Sequence, residues 1–327
     1  MNLNQIERIL LVRLSALGDC AAAIPVYMAL REAFPKAHIA WLIQDNFSGL
    51  IRNLPGLDEI IIFPRQRWRG YSSWRPIIFE GLRLQRRLRL KRFDIVIDVQ
   101  SNTKSSVLGF LTRSPIRIGH GSIEARELSK WLNNVHIPSP AEYKHVIQKN
   151  LHLLTSLGIK EFEPRFSLPV GAAARKRIHR WLQSHEIIPN EYIVLFPFCG
   201  RKIKEWPTQN YAELSQKLAR REKKAIVSVG PGEKESAQLL IPPFFQQSVF
   251  LGPETELPEL IELIRSAKLC VGGDTGPMQI AGALNVPNIA LFGPTNPERT
   301  RPWSNCRIVP LHAGPDEVFA EIEKRIS

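Results

Sequence analysis

The sequence predicts an α/β protein of two doubly wound parallel-sheet domains facing one another across a cleft. Three observations carry that expectation. Short apolar, β-branched runs alternate with longer amphipathic stretches, the pattern of strands joined by crossover helices. The predicted strands fall into two groups of five, separated by residues 158–169, a stretch with two prolines and no strong period. The 327 residues suit two domains, and a hydrophobic fraction of 44% suits two full cores and excludes a wholly disordered chain.

Taken in order, strands are expected over residues 9–13, 38–43, 59–63, 94–99 and 116–119. Helical patterns at 20–34, 75–92, 103–111 and 141–157 fill most of the gaps between and after them. A helix at 172–185 leads into the second group of strands, at 192–196, 225–229, 248–251, 269–271 and 288–292. An amphipathic helix at 315–326, with Val318, Phe319 and Ile322 on one face, ends the chain. The expected organisation is an N-terminal domain over 1–165, a second domain over 166–312, and a C-terminal helix, 313–327, that packs back on the first domain. Ligands of such folds lie at the carboxyl ends of the strands.

Composition narrows the function. The chain carries 44 Lys and Arg against 31 Asp and Glu, a net charge of +13. Residues 1–165 hold 24 basic and 14 acidic side chains, whereas residues 166–327 hold 20 and 17, so the excess sits in the first half. A basic half points to an anionic partner: nucleic acid, a phosphorylated lipid surface or an acidic substrate. The four cysteines, Cys20, Cys199, Cys270 and Cys306, form no C-x-x-C pair, which argues against a disulfide scaffold or a zinc site and for a reducing cytoplasm. No secretory signal is visible, and the longest uncharged apolar stretch is too short to span a bilayer, so any membrane contact is expected to be peripheral. G-x-G-x-x-G, G-x-x-x-x-G-K-[ST], G-x-S-x-G, H-E-x-x-H and D-x-D are all absent. The last absence gives no support to a metal-bridged sugar nucleotide.

Five turns carry chemistry instead. Ser15-Ala16-Leu17-Gly18-Asp19 follows the first strand: small residues let backbone approach a ligand, and Asp19 reads either as a helix N-cap or as a general base facing the cleft. Phe196-Pro197-Phe198-Cys199-Gly200 leads to Arg201-Lys202-Ile203-Lys204-Glu205-Trp206-Pro207, where lysines at a strand's carboxyl end suit a departing diphosphate or form a solvated basic loop. Val229-Gly230-Pro231-Gly232-Glu233 places a carboxylate where it could accept both hydroxyls of a ribose, or simply favour the helix dipole. Gly272-Gly273-Asp274-Thr275-Gly276-Pro277-Met278-Gln279 has three glycines within five positions, with Asp and Thr at a helix start, which makes a backbone cradle for phosphate. Leu291-Phe292-Gly293-Pro294-Thr295 closes the next strand in a similar turn. Finally, Arg65, Arg67, Arg69 and Arg75 interleave with Trp68, Tyr71 and Trp74 in a loop before an arginine-rich helix whose Leu84 and Leu88 turn inward. That loop suits RNA, an anionic sugar or a lipid, and has no inward face to account for its tryptophans.

In this order, the motifs resemble those of the lipopolysaccharide heptosyltransferases, ADP-heptose-using glycosyltransferases of the GT-B fold. The likeness runs from Ile9 to about Arg307, through I-L-L-V-R-L-S-A-L-G-D, the K-x-W-P of Lys204 to Pro207, G-D-T-G-P-M and L-F-G-P-T. It implies two Rossmann-like domains and inverting transfer that needs no metal or other cofactor. It implies Asp19 as base, and Lys204 as diphosphate ligand and stabiliser of the leaving group. Gly18, Cys199, Gly200, Glu233, Asp274, Thr275, Gly276 and Gln279 would complete the donor site. Arg65, Arg67, Arg69 and Arg126 would serve the acceptor. The implied partners are a nucleotide sugar, a Kdo-bearing lipid A acceptor and the inner face of the cytoplasmic membrane, not nucleic acid. Two departures stand out. Gln279 replaces a histidine, so it can donate a hydrogen bond but carries no charge, and Cys199-Gly200 replaces hydroxyl residues. A different nucleotide sugar or acceptor, a sugar-nucleotide epimerase of the same fold and an RNA-binding protein are the alternatives.

Overall fold

The computed structural model describes residues 6–121, 128–160, 163–241 and 247–326. The chain divides into two compact units, Met1–Ser167 and Leu168–Ser327. The division falls inside the proline-bearing stretch. On one side Arg165 pairs with Glu32 of the first unit at 2.8 Å, and on the other Arg265 donates to the Leu168 carbonyl of the second.

The first unit is a six-stranded sheet of β1 (Arg8–Val12), β2 (His38–Gln44), β3 (Glu59–Phe63), β4 (Ile95–Asp98), β5 (Ile116–His120) and β6 (Val135–Ile137), in the order β3-β2-β1-β4-β5-β6. Every pairing is parallel. The inner strands are buried on both faces, which is why Ile9 to Val12 reads as an unbroken apolar run rather than an alternation. Leu10, Val12, Ala40, Leu42 and Ile61 form one core with Leu84 and Leu88 of the helix Trp74–Leu90, the two leucines expected to face inward.

The second unit repeats the plan. Its strands are β7 (Ile193–Phe196), β8 (Ala225–Val227), β9 (Val249–Leu251), β10 (Leu269–Gly273), β11 (Asn288–Phe292) and β12 (Cys306–Pro310), in the order β12-β11-β10-β7-β8-β9. Counted from its own first strand this is again 3-2-1-4-5-6, the order that reverses direction once and leaves a crevice at the reversal. The reversal lies between β1 and β4 in the first unit and between β7 and β10 in the second.

Several expectations are corrected. The strands β6 and β12 were not expected, because an edge strand of three to five residues with Arg or His in it carries too little pattern. The single helix expected over 20–34 is two, Leu17–Ala21 and Ile24–Ala33, the second opening with Pro25 in its first turn, where a missing N–H is harmless. The helix expected over 141–157 begins at Val146, capped by His145 Nδ1 accepting the Ile147 N–H at 3.2 Å, and passes at Leu153 into a tighter turn that ends at left-handed Gly158. The C-terminal helix Pro315–Ile326 lies within the second unit. Its Val318 and Ile322 join the second core beside Leu214 and Leu218 of the helix Thr208–Arg220, and Asp316 meets Lys217 at 2.5 Å. Matching apolar stripes and opposite charges on those two neighbouring helices decide the contact.

Candidate active site

In the first unit the chain leaves β1 through Arg13, Leu14 and Ser15. Gln100, just beyond β4, braces this turn from across the reversal: its side-chain oxygen accepts the N–H of Leu14 at 2.8 Å and of Ser15 at 3.3 Å. Arg13 is nearly buried, and its Nη1 donates to the Val99 carbonyl at 3.1 Å. Its Nη2 holds Asp19 Oδ2 at 2.8 Å, with side-chain exposures of 9% for the arginine and 44% for the aspartate. The pair therefore presents a carboxylate to solvent. Of the two readings of Asp19, the N-cap is not what the structure shows. Ala16 holds that position, and Asp19 sits in the first turn of Leu17–Ala21, accepting the Ala16 N–H at 3.3 Å. Gly18 lies on the same turn.

Beneath this turn runs a buried polar network. Asp98, at the end of β4, accepts from Ser106 Oγ at 2.5 Å, the Ser101 N–H at 2.8 Å and Asn133 Nδ2 at 3.3 Å. Burial pushes its carboxyl above the usual range, and the donors around it work the other way.

The arginine-rich segment is not a loop throughout. Arg65–Arg69 forms a short helix whose N-terminal N–H groups at Gln66 and Arg67 donate to Asp45. Its tryptophan does have an inward role. Trp68 packs edge-on against Phe63 at 5.1 Å and donates its indole N–H to Glu80 Oε2 at 2.6 Å. Tyr71 donates to Glu80 Oε1 at 2.8 Å and Arg67 pairs with it at 2.9 Å. Burial works against the Glu80 charge, but these three donors hold its carboxyl below the usual range. Trp68 is thus half-buried and tied to Phe63 and Glu80. Arg69 is exposed and Arg65 half-buried, and neither has a carboxylate partner among the described residues. Arg126 lies outside the described residues.

In the second unit the K-x-W-P run is explained from its tryptophan. Trp206 is fully buried, meets Tyr211 edge-on at 4.9 Å and donates to the Ala313 carbonyl at 2.9 Å. This anchor fixes the loop after β7, as the packing reading expects, and leaves Lys204 at its rim. Lys204 Nζ reaches Asp274 Oδ2 at 2.5 Å across the β7/β10 reversal, with exposures of 21% and 9%. Here the ammonium is the more exposed member. The two loops approach so closely that a Cβ on Gly273 would sit 2.7 Å from the Lys204 carbonyl oxygen and 2.9 Å from Cys199 Sγ, which accounts for the glycine. Glu205 accepts the Cys199 N–H at 3.1 Å, and the Cys199 thiol donates to the Lys204 carbonyl. Burial, followed by the Glu205 charge, pushes that thiol up to about 12, so it stays protonated near neutral pH.

Thr275 occupies the N-cap position of the helix Gly276–Ala283 without capping it, and its hydroxyl is buried with no hydrogen-bond partner. The first-turn N–H groups of that helix point where an anion is stabilised. Glu233 folds back so that Oε2 accepts the Gly230 N–H at 2.7 Å, which leaves Oε1 for a further donor. Gln279 is already engaged: its amide donates to the Thr300 carbonyl at 2.5 Å. Gly200 is exposed beside Cys199. Among the described residues no three His, Cys, Asp or Glu side chains gather as a metal site. Arg13, Gln100, Asp45 and Glu80 were missed from the sequence. The visible signal for Arg13 was an arginine continuing an apolar strand.

The model of glycosyltransferase family 9 (heptosyltransferase) matches residues 81–320. The lipopolysaccharide core heptosyltransferase OpsX of Haemophilus influenzae is 25% identical over 299 residues, 90% of this chain and 81% of that one. Lipopolysaccharide heptosyltransferase 1 of Salmonella typhimurium is 28% identical over 296 residues, 89% of each. Among solved structures, the E. coli heptosyltransferase WaaC with ADP-2-deoxy-2-fluoro heptose superposes with a TM-score of 0.76 at 26% identity, covering 97% of this chain and 99% of that one. The doubled 3-2-1-4-5-6 topology, the two charged pairs at its reversals and a family match over most of the length agree: the chain belongs to glycosyltransferase family 9 and is a transferase of the GT-B fold.

Proposed function

We propose that this chain moves a heptose from ADP-heptose to an anionic inner-core lipopolysaccharide acceptor bearing Kdo or phosphate, with inversion and without a metal. The observation that carries the donor half is the Lys204–Asp274 pair at the β7/β10 reversal beside the partnerless Thr275 hydroxyl and an open helix N-terminus. A diphosphate satisfies all three. Its charge draws on Lys204, its oxygens take the Thr275 hydroxyl and the first-turn amides around Gly276, and Asp274 keeps the ammonium aimed. Glu233, with one oxygen free, suits a ribose hydroxyl.

In the reaction, the acceptor hydroxyl oxygen attacks the anomeric carbon as the bond from that carbon to the diphosphate oxygen breaks. Asp19 takes the hydroxyl proton, and the negative charge leaves on ADP. Lys204 and the Thr275-side amides stabilise that charge, and one such donor is worth roughly 3 kcal/mol. Arg65, Arg67 and Arg69 meet the acceptor's anionic groups. The lack of D-x-D agrees with transfer that needs no metal. We place the enzyme in the cytoplasm, held peripherally at the inner membrane where a lipid-linked acceptor resides. No described helix is long and apolar enough to cross a membrane.

The test is a thermal-shift and turnover panel of ADP-, UDP- and GDP-sugars, with and without EDTA. Preference for ADP-heptose and turnover unchanged by EDTA are expected. A UDP- or GDP-sugar preference would overturn the donor, and strict metal dependence would overturn the mechanism.

A further inference from the structure

The helix Trp74–Leu90 crosses from β3 to β4, and its equivalent in the second unit, Leu257–Arg265, crosses from β9 to β10. The second of these is roofed by the helix Ala172–Ser184, through Arg177 on Glu259 at 2.6 Å and His179 on Glu262 at 2.9 Å. The first has no such roof among the described residues. Ile78, Phe79, Leu82 and Leu90, on the side away from Leu84 and Leu88, are each more than half exposed, as is Trp74 at the helix start.

The same outward side carries Arg75, Arg83 and Arg86, spaced three and four residues from those apolar groups, and Arg89, seven residues from Leu82, and no acid. None of these four arginines, nor Arg92, has a carboxylate within ion-pair reach among the described residues, whereas Arg87 and Lys91 are held by Glu59 at 2.7 and 2.8 Å. The Arg83 guanidinium lies over the Phe79 ring at 4.2 Å, joining the apolar and basic groups into one surface. At the helix end an open groove of about 660 Å³ is lined by Arg8, Arg83, Arg86, Arg87, Lys91 and Arg92.

We infer that the outward face of Trp74–Leu90 is an in-plane docking surface for an anionic phospholipid bilayer. Ile78, Phe79, Leu82 and Leu90 enter the boundary between headgroups and acyl chains, and the unpaired arginines and the groove take lipid phosphates. Charge complementarity selects this occupant. A second copy of the chain would set arginine against arginine. RNA would gain its phosphates but leave aliphatic Ile78, Leu82 and Leu90 unmatched, because aliphatic side chains give bases nothing to stack on. The inference rests on the reading above that the acceptor is lipid-linked, and it adds the surface that brings the enzyme to it.

The test is flotation of the full chain with vesicles of phosphatidylglycerol and phosphatidylethanolamine, against vesicles of phosphatidylcholine alone. The wild type is expected to float with the anionic vesicles only. The triple variant Ile78→Ser, Phe79→Ser, Leu82→Ser keeps every charge and is expected to lower partitioning by at least about tenfold. Arg86→Glu with Arg89→Glu is expected to abolish it, and both variants should retain wild-type circular dichroism and ADP binding. Turnover of a delipidated saccharide acceptor should be unchanged in the triple variant. Loss of that turnover in the wild type would sink the functional reading instead. Wild-type flotation by the serine variant overturns the docking surface, as does equal binding to phosphatidylcholine. Self-association, or RNA binding, that the serine variant abolishes while no vesicle is bound also overturns it.

Discussion

The two units share one topology and one device, a cation–carboxylate pair at the strand-order reversal, yet they present opposite charges to solvent. In the first, Arg13 is nearly buried and Asp19 stands 44% exposed, so the pair offers a carboxylate. In the second, Asp274 is the hidden member at 9% and Lys204 the more accessible at 21%, so the pair offers a cation. The foundations differ as well. The first turn rests on the polar network of Gln100, Asp98, Ser101, Ser106 and Asn133, and the second on the packed rings of Trp206 and Tyr211. One fold thus presents a carboxylate in one unit and a cation in the other by reversing which partner of an ion pair is buried.

The sharpest way to break that comparison is Asp19→Asn, which keeps the contact with Arg13 but removes the proton acceptor. Turnover is expected to fall by about 10²- to 10⁴-fold while ADP binding by titration stays at the wild-type level. Preserved turnover would mean that the exposed carboxylate is not the base. Next, Trp206→Ala removes the apolar foundation under Lys204, and urea unfolding should report a loss of about 3–5 kcal/mol. A much smaller loss would show that the lysine loop does not depend on that ring. Lys204→Ala should raise the dissociation constant for ADP by about tenfold or more, ~1.4 kcal/mol, and the added change Asp274→Asn should recover stability by removing the orphaned carboxylate. An unchanged affinity for ADP would remove the cation from the donor site. Smallest, Asp98→Asn places an amide among donors and should cost about 1–3 kcal/mol in chemical denaturation. No cost would show that the first unit's polar foundation is not what holds its turn.

Much of this was legible. The inner strands declared themselves because burial on both faces leaves an unbroken apolar run, as at Ile9 to Val12 and Ile289 to Phe292. The glycine turns and K-x-W-P were visible because such residues are conspicuous at a strand's end, although what demands them is distant in sequence: Gly273 meets Lys204 and Cys199, and Trp206 meets Ala313. Edge strands β6 and β12 were not, since a short strand against one neighbour imposes almost no pattern. Asp45 and Glu80 were missed because a carboxylate's partners are chosen by folding, not by its sequence neighbours.

The sequence by itself determined the α/β class, the two-part division, the glycine-bearing turns at the strand ends and the concentration of positive charge in residues 65–92. Only the tertiary structure decided that Lys204 meets Asp274 from 70 residues away, and that Arg13 holds Asp19. It also decided that the C-terminal helix belongs to the second core and that, among the described residues, Trp74–Leu90 is left without a roof. The physical reason is one of range. Periodicity, glycine and proline act within a few residues, whereas ion pairing, docking of an apolar stripe and exposure depend on which surfaces meet after the sheets have closed.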